Sequence, residues 1–158
     1  MPPPPLNVRT AARAVVVRDG RLLAITMRDR QGDFFILPGG GQRHGETLAN
    51  TLRRETSEEI GVALDPGPLL YVREYIGRNH TFAHEHRHFH QVEMVFRCVL
   101  PPGQEPHAGA AGRDNRQVGV TWLDLAQFDE YRFFPSFLKK CVRGHDLVVE
   151  PLYWGDLN

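Results

Sequence analysis

The feature that most constrains this chain lies between Gly39 and Val62. Three consecutive glycines follow a short apolar run at 34–37, and a helical pattern follows them. Leu48, Ala49, Leu52, Thr56 and Ile60 recur at the 3.6-residue period, which predicts a helix over 47–60. Gly61 stands where a C-terminal glycine belongs. On that helix Glu55, Glu58 and Glu59 occupy i, i+3 and i+4, crowding three carboxylates into an arc of about 100°. Like charges at this spacing destabilise a helix by roughly a few tenths of a kcal/mol per pair. A solvated face tolerates that, and a divalent cation would give it a positive reason. Hard oxygen ligands select Mg²⁺, Mn²⁺ or Ca²⁺, and Mg²⁺ commonly shares its shell with substrate phosphates. Glycines leading into the helix let backbone approach a ligand closely and offer it exposed amides and carbonyls.

Around this segment the pattern is mostly strand. Aliphatic runs at 13–18 and 21–28 flank Asp19-Gly20, a hairpin signal because both turn residues tolerate positive φ. Residues 69–76, 89–100 and 117–123 read as further strands, and helical turns are expected at 124–128 and 136–142. Residues 101–115, rich in Gly, Pro and Ala, read as an exposed loop. Strands with one strong helix between them predict an α+β fold, a mixed sheet sandwiched by helices. The length, 158 residues, favours one domain. Positive and negative side chains balance at 19 each, so bulk nucleic-acid binding is disfavoured. No apolar run approaches the length of a membrane span, and the proline-rich start, expected to be a mobile tail over 1–7, lacks the regions of a secretory signal. Cys98 and Cys141 are too few for a disulfide framework or a cysteine zinc site. The expectation is a cytoplasmic protein. Lys139 and Lys140 are the only lysines, so arginine carries nearly all the positive charge; it suits bidentate phosphate recognition, and codon bias produces the same skew.

Read in full, the segment is Gly40, five residues, Glu46, seven residues, then Arg54-Glu55-Thr56-Ser57-Glu58-Glu59-Ile60-Gly61-Val62. It resembles the Nudix box, G-x5-E-x7-R-E-U-x-E-E-x-G-U with U aliphatic, the signature of the Nudix hydrolases. Every fixed identity is present at its spacing. At a background near 7% per position, a chance match is about 10⁻⁸ per starting residue. Thr56 departs from the pattern, standing where it has an aliphatic side chain; its hydroxyl can bond to the carbonyl one turn back. Weaker similarity extends to 35–40 and to Trp122-Leu123, so the domain is expected over 8–145 with a C-terminal extension at 146–158.

The resemblance implies a Nudix-like α/β/α sandwich with a mixed β-sheet. It implies a pyrophosphohydrolase that cleaves a nucleoside diphosphate linked to another moiety, using Mg²⁺ or Mn²⁺. Glu55, Glu58 and Glu59 are then metal ligands, with the Gly39 carbonyl completing a shell. Arg54 orients the glutamates, with Glu58 as its local partner, and Glu46 is supportive. A base outside the box varies between subfamilies; Glu93, in a predicted strand among apolar residues, is the candidate, and Asp114 a second. Arg28, Gly40, Arg78 and His90 are candidate substrate contacts, with Arg13 and Phe35 also in reach of a base or phosphate. His84, His86, His88 and His90 would share one face if the whole segment were a strand, able to hold a transition metal or line a pocket. Interleaved Glu85 and Arg87 suggest that its first half is a solvated loop. Markers of several Nudix subfamilies are missing, which leaves nucleoside triphosphates, oxidised ones included, as the default small-molecule substrate. Homodimers are frequent in the family. Two other readings stay open: a Nudix-fold sensor that binds a nucleotide metabolite without turnover, and a histidine-based metal-binding protein.

Overall fold

The computed structural model describes residues 1–2, 6–109 and 116–158. Residues 3–5 of the proline-rich tail, and Asp114, lie outside the described residues. The Asp19-Gly20 signal is realised: φ is 52° at Asp19 and 72° at Gly20, and β2 (Val17–Arg18) turns back on β3 (Arg21–Asp29) with Arg18 opposite Arg21. β3 is central to one sheet. β8 (Gln117–Asp124) runs antiparallel along one side of it, and β4 (Gly32–Ile36) continues the other side. β9 (Phe133–Phe134) adds in parallel to β4.

The second sheet has the order β12 (Tyr153–Asp156), β6 (Leu69–Ile76), β7 (His90–Arg97), β1 (Arg9–Val15), β5 (Gly39–Gly41). It is mixed: β1–β7 and β12–β6 are parallel, while β6–β7 and β1–β5 are antiparallel. A small hairpin joins β10 (Val142–Arg143) to β11 (Asp146–Leu147).

Strand alternation sends side chains to two hydrophobic layers. Ala12, Ala14 and Val16, with Leu23 and Ile25 of β3, pack on α1 (Leu48–Ile60) through Leu52 and Ile60. Val15, Leu22 and Ala24 point the other way, toward Leu125, Phe128 and Leu138. Cys98 belongs to the first layer and Cys141 to the second, both buried as free thiols. The result is the expected α+β sandwich, with one correction. The helical layer after β8 consists of 3-10 segments, Leu125–Glu130 and Ser136–Cys141. Each is a short run of the kind 3-10 geometry serves, and Pro135 with β9 separates the two.

The histidine-rich segment is also redrawn. Phe82 is buried between Phe34 and Phe134, with ring centroids at 5.3 and 5.1 Å. That burial draws the chain into a turn and the short helix α2 (Ala83–His86). His90 alone of the four alternating histidines lies in a strand, so they form no common face. Among the described residues no helix is long and apolar enough to cross a membrane.

Candidate active site

α1 begins and ends as its sequence requires. The Thr47 hydroxyl accepts the Asn50 N–H at 3.1 Å, and Gly61, at φ 69°, returns its own N–H to Ser57. Thr56 is fully buried. Its hydroxyl donates to the Leu52 carbonyl at 2.7 Å and accepts the Leu64 N–H at 2.9 Å. The departure from the aliphatic pattern thereby satisfies a buried amide just past the helix end.

β5 seats the glycine loop against the helix. Gly39 pairs with Arg13 across β1–β5 at φ 133°, and a Cβ there would lie 2.2 Å from the Ala12 carbonyl oxygen. No other residue fits so close an approach at that φ. At Gly40 a Cβ would stand 2.5 Å from the Glu55 carboxyl carbon, so the bare backbone makes room for that side chain.

Arg54 clamps loop to helix. Its Nε and one terminal nitrogen grip both oxygens of Glu46, at 2.6 and 3.0 Å. It also donates to the Gly41 carbonyl at 3.0 Å and to Glu55 Oε1 at 2.8 Å. Glu58 Oε2, the expected partner, is 3.8 Å away, so Glu46 is the principal partner: Arg-before-Glu is the poorer helical order, whereas the loop can bring Glu46 to a bidentate fit. Glu46 further accepts from the Thr51 hydroxyl and the Arg43 N–H. The Arg54 hydrogen bonds and these others hold its carboxyl down at about 2.

Glu59 has the opposite environment. Burial, reinforced by neighbouring Glu55 and Glu58, pushes its carboxyl up to about 8, against the pull of Arg13 and the Gly39 N–H. That N–H donates to Glu59 Oε2 at 2.8 Å, while the Gly39 carbonyl accepts from Arg13 at 3.1 Å. Among the described residues no three carboxylates, histidines or cysteines are drawn together as a finished metal cage. The donor set still fits a hard divalent cation: carboxylate oxygens on one helix face, beside a glycine whose missing Cβ leaves Glu55 its space.

A cavity of about 300 Å³ adjoins the same loop, with Gly40 and Gly41 in its wall. Arg9, Arg13, Arg73 and Arg116 bring positive charge to it, and Phe34, Tyr75, Phe82 and Phe89 bring rings. Glu93 also lines it, but not as an available base. It is 2% exposed, with Arg13 Nε at 3.0 Å, Arg73 Nε at 2.6 Å and the Gln91 amide at 2.8 Å. Burial would raise its carboxyl, yet Coulomb attraction from Arg73 and Arg13 wins and holds it at about 2. A carboxylate with so little proton affinity accepts protons poorly.

Of the candidate substrate contacts, Gly40 lines the cavity. Arg28 pairs with Asp33 at 2.7 Å on the exposed end of the β3–β4 hairpin, and Arg78 is exposed on the 3-10 turn Gly77–Asn79. His90 approaches Glu74 at 3.4 Å, on the face of β7 opposite Gln91 and Glu93. Phe35 turns into the second hydrophobic layer, edge-on to Tyr131. Arg73, Phe82 and Asn158 are cavity residues with no motif around them. Only the pairing of β6 with β7, which sets Arg73 opposite Glu93, brings the first of them in.

Comparison with known proteins meets this geometry. Residues 8–143 match the NUDIX domain. A MutT-like protein of Streptomyces ambofaciens is 32% identical over 127 residues, which cover 80% of this chain and 70% of that protein. The nucleoside triphosphatase NudI of Salmonella agona is 33% identical over 101 residues, 60% of this chain and 70% of the relative. The crystal structure of a MutT NUDIX hydrolase from Burkholderia pseudomallei superposes with a TM-score of 0.59 at 30% identity, covering 76% of this chain and 85% of its own. The chain therefore belongs to the Nudix hydrolase family, and its activity is that of a Nudix pyrophosphohydrolase.

Proposed function

We propose that this protein hydrolyses a phosphoanhydride bond in nucleoside triphosphates, with Mg²⁺ or Mn²⁺ held by Glu55, Glu58 and Glu59. One observation carries the reading: the carboxylate face of α1 meets, at Gly39–Gly41, the wall of a cavity lined by arginines and aromatic rings. The Salmonella relative, a nucleoside triphosphatase by name, supports the substrate class.

The chain's own groups divide the work. Arg54, fixed by Glu46, holds Glu55 against the loop and keeps a positive charge between Glu55 and Glu58. The Gly39 amide sets the orientation of Glu59. The cavity arginines answer phosphate charge, and the rings offer a surface on which a base can stack. A bound divalent cation would neutralise phosphate oxygens and acidify a water. Cytoplasmic residence belongs to the same reading, two buried free thiols being at home in a reducing compartment.

The test is a Mg²⁺-supplemented panel of nucleoside triphosphates, nucleotide sugars, ADP-ribose and dinucleotides, with products identified by mass. Nucleoside monophosphate and pyrophosphate are expected from a triphosphate, and nucleoside monophosphate and the phosphorylated moiety from a diphosphate linked to another group. Glu58→Gln and Glu59→Gln should each lower kcat about 10²–10³-fold, the range for removing one preorganised charge-stabilising group, while the protein stays folded. Wild-type rates in both variants at low metal would overturn the reading. Tight nucleotide binding with no product from any substrate would instead favour a sensor.

A further inference from the structure

Residues 144–158 lie beyond the stretch that matches the NUDIX domain, yet they reach the cavity. β12 adds in parallel to the edge of β6, and the segment is fastened at several points. Asp156 accepts the Ile76 N–H and the Asn79 side-chain amide, at 2.9 and 2.8 Å, and pairs with His80. Trp154 stacks on Phe137 with centroids 4.7 Å apart. The Ser136 hydroxyl donates to the Asn158 main-chain oxygen at 2.7 Å. Arg73, already paired with Glu93, donates to the Leu157 carbonyl and, at 3.1 Å, to Asn158 Oδ1.

That last contact fixes the Asn158 amide. With Oδ1 facing a guanidinium, Nδ2 carries its two hydrogens elsewhere. Nδ2 is shielded from solvent and has no hydrogen-bond partner, and Asn158 lines the cavity. Two other side-chain atoms among the described residues share that condition, Tyr71 Oη and Trp154 Nε1, and neither residue lines the cavity. Buried donors are rarely left unpaired without a reason.

We infer that Asn158 is a specificity-determining residue of this site, its amide N–H donating to a hydrogen-bond acceptor on the base of the bound nucleotide. The inference rests on the nucleotide reading proposed above. A chain of contacts runs from Gly39 through Arg13, Glu93 and Arg73 to Asn158. With phosphates at the glycine loop, the far end of the nucleotide is the part that reaches Asn158. A carbonyl oxygen or unprotonated ring nitrogen there pairs with Nδ2. An amino group at the same place leaves the donor unpaired, the situation in which a polar site discriminates most.

Asn158→Asp tests this with little change of shape: it retains the oxygen facing Arg73 and turns the orphan donor into an acceptor. Asn158→Ala removes both. For the wild type and both variants, kcat and KM are measured for ATP, GTP, CTP and UTP, binding of the matching monophosphates by calorimetry, and the melting temperature. The base preferred by the wild type should lose about tenfold in kcat/KM in Asn158→Asp, carried by KM, with amino-bearing edges gaining relative to it. Asn158→Ala should flatten the preference, and the melting temperature of Asn158→Asp should stay close to wild type because the Arg73 contact survives. An unchanged order of bases in both variants, or no base preference in the wild type, overturns the inference and leaves the pyrophosphohydrolase reading standing. If the wild type neither cleaves nor binds any of these nucleotides, both fall together.

Discussion

Single side chains in this protein are set by what surrounds them more than by their type. Thr56 is polar at an apolar position because the Leu64 amide needs an acceptor there. Thr56→Val, similar in shape, should cost about 1–3 kcal/mol, the penalty of an unpaired buried amide, read as a lower urea midpoint with an unchanged slope. Glu59 predicts a pH effect. Its folded carboxyl titrates near 8 against an ordinary 4.5, so between those values the folded chain holds a proton that the unfolded chain has released. Stability in a chelator should therefore fall as pH rises from about 4.5 to 8. Glu59→Gln should remove that slope, and parallel curves for both proteins would contradict the assignment. The identities of Glu46, Arg54 and the three glutamates were legible because their spacing is local. Which carboxylate Arg54 grips was not, because the loop that returns Glu46 to it has no period. Glu93 could be singled out as a costly buried charge, but its partners, Arg13 and Arg73, are 80 and 20 residues away.

At the scale of elements, the glycine loop and α1 behave as one unit, buckled by Glu46 and Arg54. Glu46→Gln keeps the size but replaces one of the two gripped oxygens with an NH2 group that cannot accept, and removes the charge. It should lower activity or apparent Mg²⁺ affinity about 10–100-fold, as loss of a group supporting metal ligands does, with little change in helical circular dichroism. An unaltered metal titration would show that the buckle does not matter to the ligands. Elements with a strong local code were readable: the helix over 47–60, the Gly61 stop, the Asp19-Gly20 turn and the 69–76 strand. Residues 124–128 and 136–142 were read as helical turns, yet periodicity does not distinguish 3-10 from α in runs this short. The 84–90 histidines alternate as a strand would, and the burial of Phe82, decided by Phe34 and Phe134 far off in sequence, overrides that pattern.

Across the whole molecule, the Arg13–Glu93–Arg73 triad ties the glycine loop, the middle of the second sheet and the 153–158 segment together. Glu93→Gln would leave two guanidiniums buried without their counter-charge and should cost about 3–5 kcal/mol, measured by denaturant unfolding. The same group sets an acid limit. Its folded carboxyl lies near 2, below the ordinary 4.5, so its contribution is complete above about 4.5 and is lost as pH falls toward 2. The Glu93→Gln variant should lose less stability than wild type over that window. The sandwich itself was foreseeable from strand alternation around one helix, whereas a triad spanning residues 13 to 93 is a product of topology. The two hydrophobic layers each hold one cysteine, and burial pushes both thiols up, Cys98 to about 11. Neither should react with a thiol-selective reagent until its own layer opens. The protein thus carries a built-in pair of timers: modification of Cys98 clocks exposure beneath α1, and modification of Cys141 clocks exposure beneath the 3-10 segments. Equal rates would mean that the sandwich comes apart in a single event, and unequal rates would name the leaf that lifts first.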